Sequence, residues 1–144
     1  MIIVDSREKK NQHILSWFDS HKIDYVVQKL EIADYKFGDN DKILVDRKQN
    51  LDELLYNLLT ADKRRFYNEM RKAHSENAKV IVLCEHGNGV KQLSDVAKWQ
   101  SNHSNFAGRK LLDEMYKIHI SYSVDFEFCE KSETAEKIIQ ILRR

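Results

Sequence analysis

The chain has 144 residues, 42% of them hydrophobic, and a formal net charge of +1. That length suits a single domain over 1–144 that buries roughly two-thirds of its unfolded surface, and the apolar content excludes global disorder. No apolar run reaches membrane-spanning length and no basic segment leads into an apolar one at the start, so the expected setting is the cytoplasm or nucleoid, without membrane or secretion. Cys84 and Cys129 lie in apolar runs without metal-ligand spacing and read as reduced, buried thiols. Overall neutrality conceals an asymmetry: residues 42–72 carry eight Lys or Arg against five Asp or Glu, and residues 111–136 carry two against seven. A basic stretch is most often a solvated face, so it points only weakly to a polyanionic partner.

In chain order, residues 2–5 predict a short buried strand and residues 8–21 a helix carrying Ile14, Leu15, Trp17 and Phe18. A second strand follows at 24–30. Residues 34–37 and 42–46 flank the polar turn Gly38-Asp39-Asn40-Asp41 and predict a hairpin. Helical patterns cover 51–59 and 62–76, the second strongly basic. The continuous apolar run 79–84 predicts a fully buried strand. Residues 86–104 are polar and irregular, with helix only near 91–98. Then come a helix at 105–118, a strand at 120–128 and a last helix at 132–143, with Ala135, Ile138, Ile139 and Leu142 on one stripe. Strands alternate with helices, yet a hairpin cannot belong to a purely parallel sheet. The fold class is therefore α/β, a mixed central sheet flanked by helices.

The hairpin carries the candidate chemistry. With its turn centred on Asn40, facing positions sum to 80, so Asp34 lies opposite Asp46 and Lys36 opposite Leu44. Cross-strand Cβ atoms are about 5 Å apart, where two like charges destabilise a sheet. A divalent cation with oxygen ligands would compensate, and so would Lys48, two residues beyond Asp46 and hence on the same face. Two acids and a lysine on one face can bind a metal, polarise a phosphate and hold an attacking water. A solvent-facing hairpin with scattered charges is the plain alternative for any one of these residues.

The run Leu30-Glu31-Ile32-Ala33-Asp34-Tyr35, followed after a gap by Val45-Asp46-Arg47-Lys48 and then Asp52, resembles the signature of the XPF-type nuclease family: Gly-Asp, a gap, Glu-Arg-Lys, three residues, Asp. Ile3-Val4-Asp5-Ser6-Arg7-Glu8 is similar to that family's Val-Asp-x-Arg-Glu. Arg65-Phe66-Tyr67 resembles its arginine on the basic helix, and Val80 to Glu85 its strand ending in an acid. The tail from Gly108 onward fits as well. The resemblance implies a restriction-endonuclease-like fold and Mg²⁺- or Mn²⁺-dependent cleavage of branched, flapped or junction DNA. Asp34 and Asp46 would be the metal ligands, Lys48 would position the water, and Arg47 would contact phosphate or support the site. Asp5 and Glu8 would complete the acidic shell, with Arg7 and Asp52 behind them. Lys63, Arg64 and Arg65 would contact DNA, and the last helix would pair two copies as a homodimer.

Two positions depart from the pattern. The family glycine is Ala33, which asks only that the backbone there avoid positive φ, and the family glutamate is Asp46, one methylene shorter. The chain also ends where many relatives continue into a helix-hairpin-helix module. Plainer readings stand beside these: Asp5, Ser6 and Glu8 also fit a helix cap, Asp52 falls at a helix N-terminus, and Gly38-Asp39 is turn chemistry. Gly87-Asn88-Gly89 lacks the third glycine of a dinucleotide fingerprint, and the six histidines form no zinc-like pair. Two other functions compete with a nuclease. An inactive DNA-binding or dimerisation subunit would have lost the acids that persist here. A signalling α/β domain with a phosphorylatable acid needs a parallel alternation that the hairpin breaks.

Overall fold

The computed structural model describes all of residues 1–144. Its strands are β1 (Ile2–Asp5), β2 (Tyr25–Gln28), β3 (Tyr35–Phe37), β4 (Ile43–Lys48), β5 (Lys79–Glu85) and β6 (Asp125–Cys129). Its helices are α1 (Gln12–Ser20), α2 (Leu51–Leu59), α3 (Lys63–Ser75), α4 (Gly108–Tyr122) and α5 (Thr134–Leu142), with a 3-10 turn at Leu93–Lys98. The six strands form one sheet in the order β2-β1-β3-β4-β5-β6. β3 runs antiparallel to both β1 and β4, while β1–β2, β4–β5 and β5–β6 are parallel.

Helices cover both faces, so the central strands are apolar on both sides. On one face Leu44, Val80, Val82 and Cys84 pack with Leu54, Leu58, Phe66, Met70, Leu111 and Met115 from α2, α3 and α4. On the other, Ile2, Val4, Val45, Ile81 and Leu83 pack with Ile14 and Phe18 of α1 and with Ile138, Ile139, Ile141 and Leu142 of α5. The apolar stripe of α5 is thus consumed within its own core, and the basis in that stripe for a docking face is removed.

The hairpin has the predicted register, with Tyr35 opposite Val45. Alternation along β4 then sends Leu44, Asp46 and Lys48 toward α2 and α3, and Val45 and Arg47 toward α1 and α5. Elsewhere the element bounds shift for local reasons. α1 begins at Gln12 rather than Glu8, because Glu8 is held by Arg47 and Lys10 takes a left-handed φ of 53°. No side chain caps α1, so Asp5, Ser6 and Glu8 do not act as a helix cap. α4 runs on to Tyr122, past the predicted strand start at 120, since Leu111, Met115 and Ile118 continue a helical period into the core. It stops at Ser123, whose φ of 57° closes the helix, and β6 begins at Asp125.

Ala33 overturns the expectation that its backbone avoids positive φ. It is 4% exposed and has a φ of 62°, in the left-handed region. An L-residue there costs about 1–2 kcal/mol because Cβ crowds the following carbonyl. This is where the related signature places glycine, so the physical requirement persists although the residue has changed. Ala33→Gly should raise stability by about 1 kcal/mol, read as a higher urea midpoint with unchanged slope. The α4 start depends on glycine for a different reason: a Cβ on Gly108 would lie 2.0 Å from the Val96 carbonyl oxygen and 2.3 Å from that of Trp99. No helix is long and apolar enough to cross a membrane.

Candidate active site

The site lies where β3 leaves the Ala33 bend and β4 passes beneath α3. Asp34 is half-buried, and its Oδ2 accepts the backbone N–H of Arg47 at 2.8 Å. Asp46, across the hairpin, is only 5% exposed, and its Oδ2 has no hydrogen-bond donor. The Lys48 ammonium lies 3.0 Å from that oxygen, as an ion pair outside hydrogen-bonding alignment. It also sits 4.9 Å from the centre of the Phe66 ring of α3, which holds it on this face as a buried cation over an aromatic ring.

Electrostatics follow from this crowding. Burial pushes the Asp34 carboxyl well above the usual aspartate range, and the neighbouring charges of Asp46 and then Glu8 push it further. Burial draws Lys48 downward, but Asp46 and Asp34 more than offset it, so its pKa ends above the ordinary lysine value and it stays an ammonium. Sequence reasoning missed a third acid. Glu69 of α3 is half-buried, accepts the Ala33 N–H at 2.8 Å through Oε1, and is raised by burial and then by the charge of Asp46. Its signal was its place one turn after Arg65, which puts both side chains on the same side of α3. Glu69 thereby ties α3 to the strained residue that precedes Asp34.

Arg47 occupies the opposite side of β4. Its guanidinium is fully enclosed, donating to Glu8 at 2.7 and 3.0 Å, to the Lys9 carbonyl at 2.6 Å and to Glu85 at 3.1 Å. Contact with phosphate is excluded by that burial, and of the two expected roles it is support of the site that fits. Glu8 also accepts the Tyr35 hydroxyl at 2.6 Å, and burial, then the charge of Glu8, push that phenol upward. Glu85 accepts from His13, at 2.7 Å, and from Thr134. The acid that ends β5 is therefore a second anchor for Arg47, a role the sequence left unassigned.

The remaining expected residues divide. Asp5 is buried, and its oxygens take the Leu30 N–H at 2.8 Å and the Arg7 guanidinium at 3.1 Å, while Arg7 also reaches the Leu30 carbonyl at 2.5 Å. This pair fixes the loop that delivers Asp34. Asp52 accepts the Ser101 hydroxyl and so pins the 99–105 loop, while α2 is capped by Asn50 through the Glu53 N–H at 2.8 Å. Lys63, Arg64 and Arg65 point in different directions. Lys63 pairs with Glu114 at 3.2 Å, Arg65 chelates Asp62 at 2.8 and 2.9 Å, and Arg64 is exposed and unpaired. Arg65 is near enough to Asp46 and Glu69 to feel their charge.

The donor set fits a hard divalent cation. Asp46 leaves a buried oxygen without a donor, and Asp34 and Glu69 each hold one oxygen in a backbone hydrogen bond with the other free. No three carboxylate, imidazole or thiol groups are already gathered at ligating distance.

A mixed sheet whose central hairpin carries two aspartates and a lysine under a flanking helix defines a restriction-endonuclease-like domain. The chain belongs to the ERCC4 domain family, whose model matches residues 4–141. Among solved structures it is similar to XPF from Aeropyrum pernix, with 17% identity and a TM-score of 0.74 over 99% of this chain and 65% of that one. It is also similar to the same protein in complex with DNA, with 18% identity and a TM-score of 0.73 over 99% of this chain and 62% of that one. The chain thus spans a little under two-thirds of the length of these structures. No curated protein matches its sequence.

Proposed function

We propose that this domain is a Mg²⁺- or Mn²⁺-dependent endonuclease that hydrolyses phosphodiester bonds in branched, flapped or junction DNA. The observation that carries the reading is the buried Asp46 carboxylate, with Asp34 and Glu69 beside it and one charged lysine at 3.0 Å. Asp34, Asp46 and Glu69 crowd one buried ammonium, and that excess of negative charge is costly unless a further cation joins it. Asp34 and Asp46 would hold the ion, with the free oxygen of Glu69 as a third donor. When bound, the ion supplies an activated water and neutralises charge on the scissile phosphate.

The protein's own groups do the rest. Lys48 has three N–H donors and one close carboxylate, so it can orient a water or a phosphate oxygen while Phe66 and Asp46 hold it. The Asp5–Arg7 pair and Glu69 fix the two sides of the bend that aims Asp34. Arg47 clamps Glu8 and Glu85 and ties β4 to the segment that leads into α1 and to the end of β5. The partner is DNA, a reading supported by family membership and by the DNA complex of the similar XPF structure. A nicking assay on linear, flapped and four-way DNA with Mg²⁺, Mn²⁺ or EDTA tests the whole. Cutting only with a metal, and best on branched substrates, is expected; binding without cutting under every metal would leave a DNA-binding subunit.

We also propose a symmetric homodimer. With the α5 stripe internal, the available face is the edge strand β6 beside the outer side of α4, where Tyr116 and Ile120 stand 43% and 78% exposed one turn apart. Light scattering at micromolar concentration should give twice the chain mass, and Ile120→Glu should restore the monomer. A monomeric wild-type mass would remove the proposal.

A further inference from the structure

α3 shows four different rows to its surroundings. At about 100° per residue, Phe66, Met70 and Ala73 form the core row. Lys63 and Tyr67 lean on Glu114 of α4. Arg65, Glu69 and Lys72 form a third row, on the side of Ala33, Asp46 and Glu31. The fourth row, Arg64, Asn68 and Arg71, falls within about 60° of arc and is turned roughly a quarter-circle away from the Arg65–Glu69 row. All three of its residues are exposed.

This outer row differs from the rest of the helix in its pairing. Lys63, Arg65 and Lys72 each have a carboxylate partner, Glu114, Asp62 and Glu31 respectively. Arg64 has none, and the one bond Arg71 makes is to the Asn68 amide oxygen at 3.0 Å. The row borders a surface cleft of about 570 Å³ lined by Thr60, Ala61, Lys63, Tyr67 and the three row residues, with no acid among them. Arg64 and Arg71, the two cations of this groove without a carboxylate partner, and the Asn68 amide N–H between them match a run of phosphates. Arg64 and Arg71 lie seven residues apart, about 10 Å along the helix, a span that reaches more than one phosphate of a strand.

We propose that Arg64, Asn68 and Arg71 form a phosphate-backbone site for a second segment of DNA, one that leaves the catalytic groove rather than running through it. It rests on the DNA-nuclease reading above and gives it a physical basis for preferring branched substrates, since a strand that turns away at a branch can reach a row about 100° around the helix from the catalytic side. Three consecutive basic residues, Lys63 to Arg65, cannot make one track, because they spread over about 200° of the helix.

The test compares wild type with Arg64→Ala/Arg71→Ala by fluorescence anisotropy in EDTA, on a short blunt duplex and a flapped DNA, across a salt series. On the flapped DNA the slope of log K against log salt should fall by about 1.8, close to 0.9 for each phosphate no longer neutralised. The short duplex should be little changed, and Arg64→Lys/Arg71→Lys should keep most of the slope. Circular dichroism and thermal melting should match wild type, since exposed unpaired charges contribute little to the fold. An unchanged slope on the flapped DNA, or an equal loss on both DNAs, would overturn the proposal. Cleavage by wild type in Mg²⁺ is scored separately: a protein that binds flapped DNA through this row yet never cuts would sink the nuclease reading and leave the site standing.

Discussion

Asp46→Asn and Asp34→Asn are each expected to lower cleavage of branched DNA by about 10²–10³-fold, the scale on which loss of one preorganised electrostatic group acts, while DNA affinity in EDTA stays near wild type. Each change keeps shape and removes a charge from the set that would hold the cation. The two should differ in stability. The Asp34 carboxyl lies above its unfolded range because of burial and the charges of Asp46 and Glu8, so the folded state holds the extra proton through the window between the two values. There the native protein binds more protons than the unfolded chain, and metal-free stability falls as pH rises through it. Asp34→Asn should abolish that fall and melt higher than wild type at neutral pH without metal. Its amide oxygen can still accept the Arg47 N–H. Mn²⁺ should raise the melting temperature of wild type and not of the variant. Asp39→Asn is the control: Asp39 is exposed in the hairpin turn, and the change should be silent in all three measurements. A variant at Asp34 or Asp46 that cuts at the wild-type rate would place the chemistry elsewhere.

The parts of this site legible in the sequence are those set by strand alternation. The turn at Gly38–Asp41 fixed the register, the register faced Asp34 with Asp46, and the period of two put Lys48 beside Asp46; the same period sends Arg47 to the far side, which the reading of Arg47 as a phosphate contact overlooked. What escaped depended on tertiary approach. Nothing local to Ala33 announces a left-handed backbone, because the bend is imposed by the Asp5–Arg7 grip on Leu30 and the Glu69 grip on Ala33 itself. Glu69 was hidden among basic neighbours on a helix whose rotation relative to the hairpin no periodicity states. Glu85 read as the end of a buried strand, and its function emerged only when Arg47, His13 and Thr134 converged on it. The α5 stripe was visible, but a stripe does not say which surface covers it, and the chain's own sheet does.

Replacing Arg47 should have the largest effect on the fold. The side chain is enclosed and holds two carboxylates, Glu8 and Glu85, on one guanidinium whose planar fork satisfies both and the Lys9 carbonyl at once. Arg47→Met would leave a pair of buried acids with only Tyr35, His13 and Thr134 as donors. Breaking a buried pair from one side costs about 3–5 kcal/mol, because the abandoned charge stays desolvated. A loss of that size should appear as a large drop in the urea midpoint. Arg47→Lys should recover part of it, since an ammonium restores the charge but cannot span both acids. Glu8→Gln in the Arg47→Met background should recover more, by removing one stranded charge, and the double-mutant cycle should show coupling. The ammonium variant also separates support from chemistry. At a temperature where it is folded it should cut at near the wild-type rate, since no part of the Arg47 guanidinium reaches the surface where DNA lies. An Arg47→Met protein within about 1 kcal/mol of wild type, the range of an ordinary substitution, would mean that the network is held by its other hydrogen bonds rather than by the guanidinium.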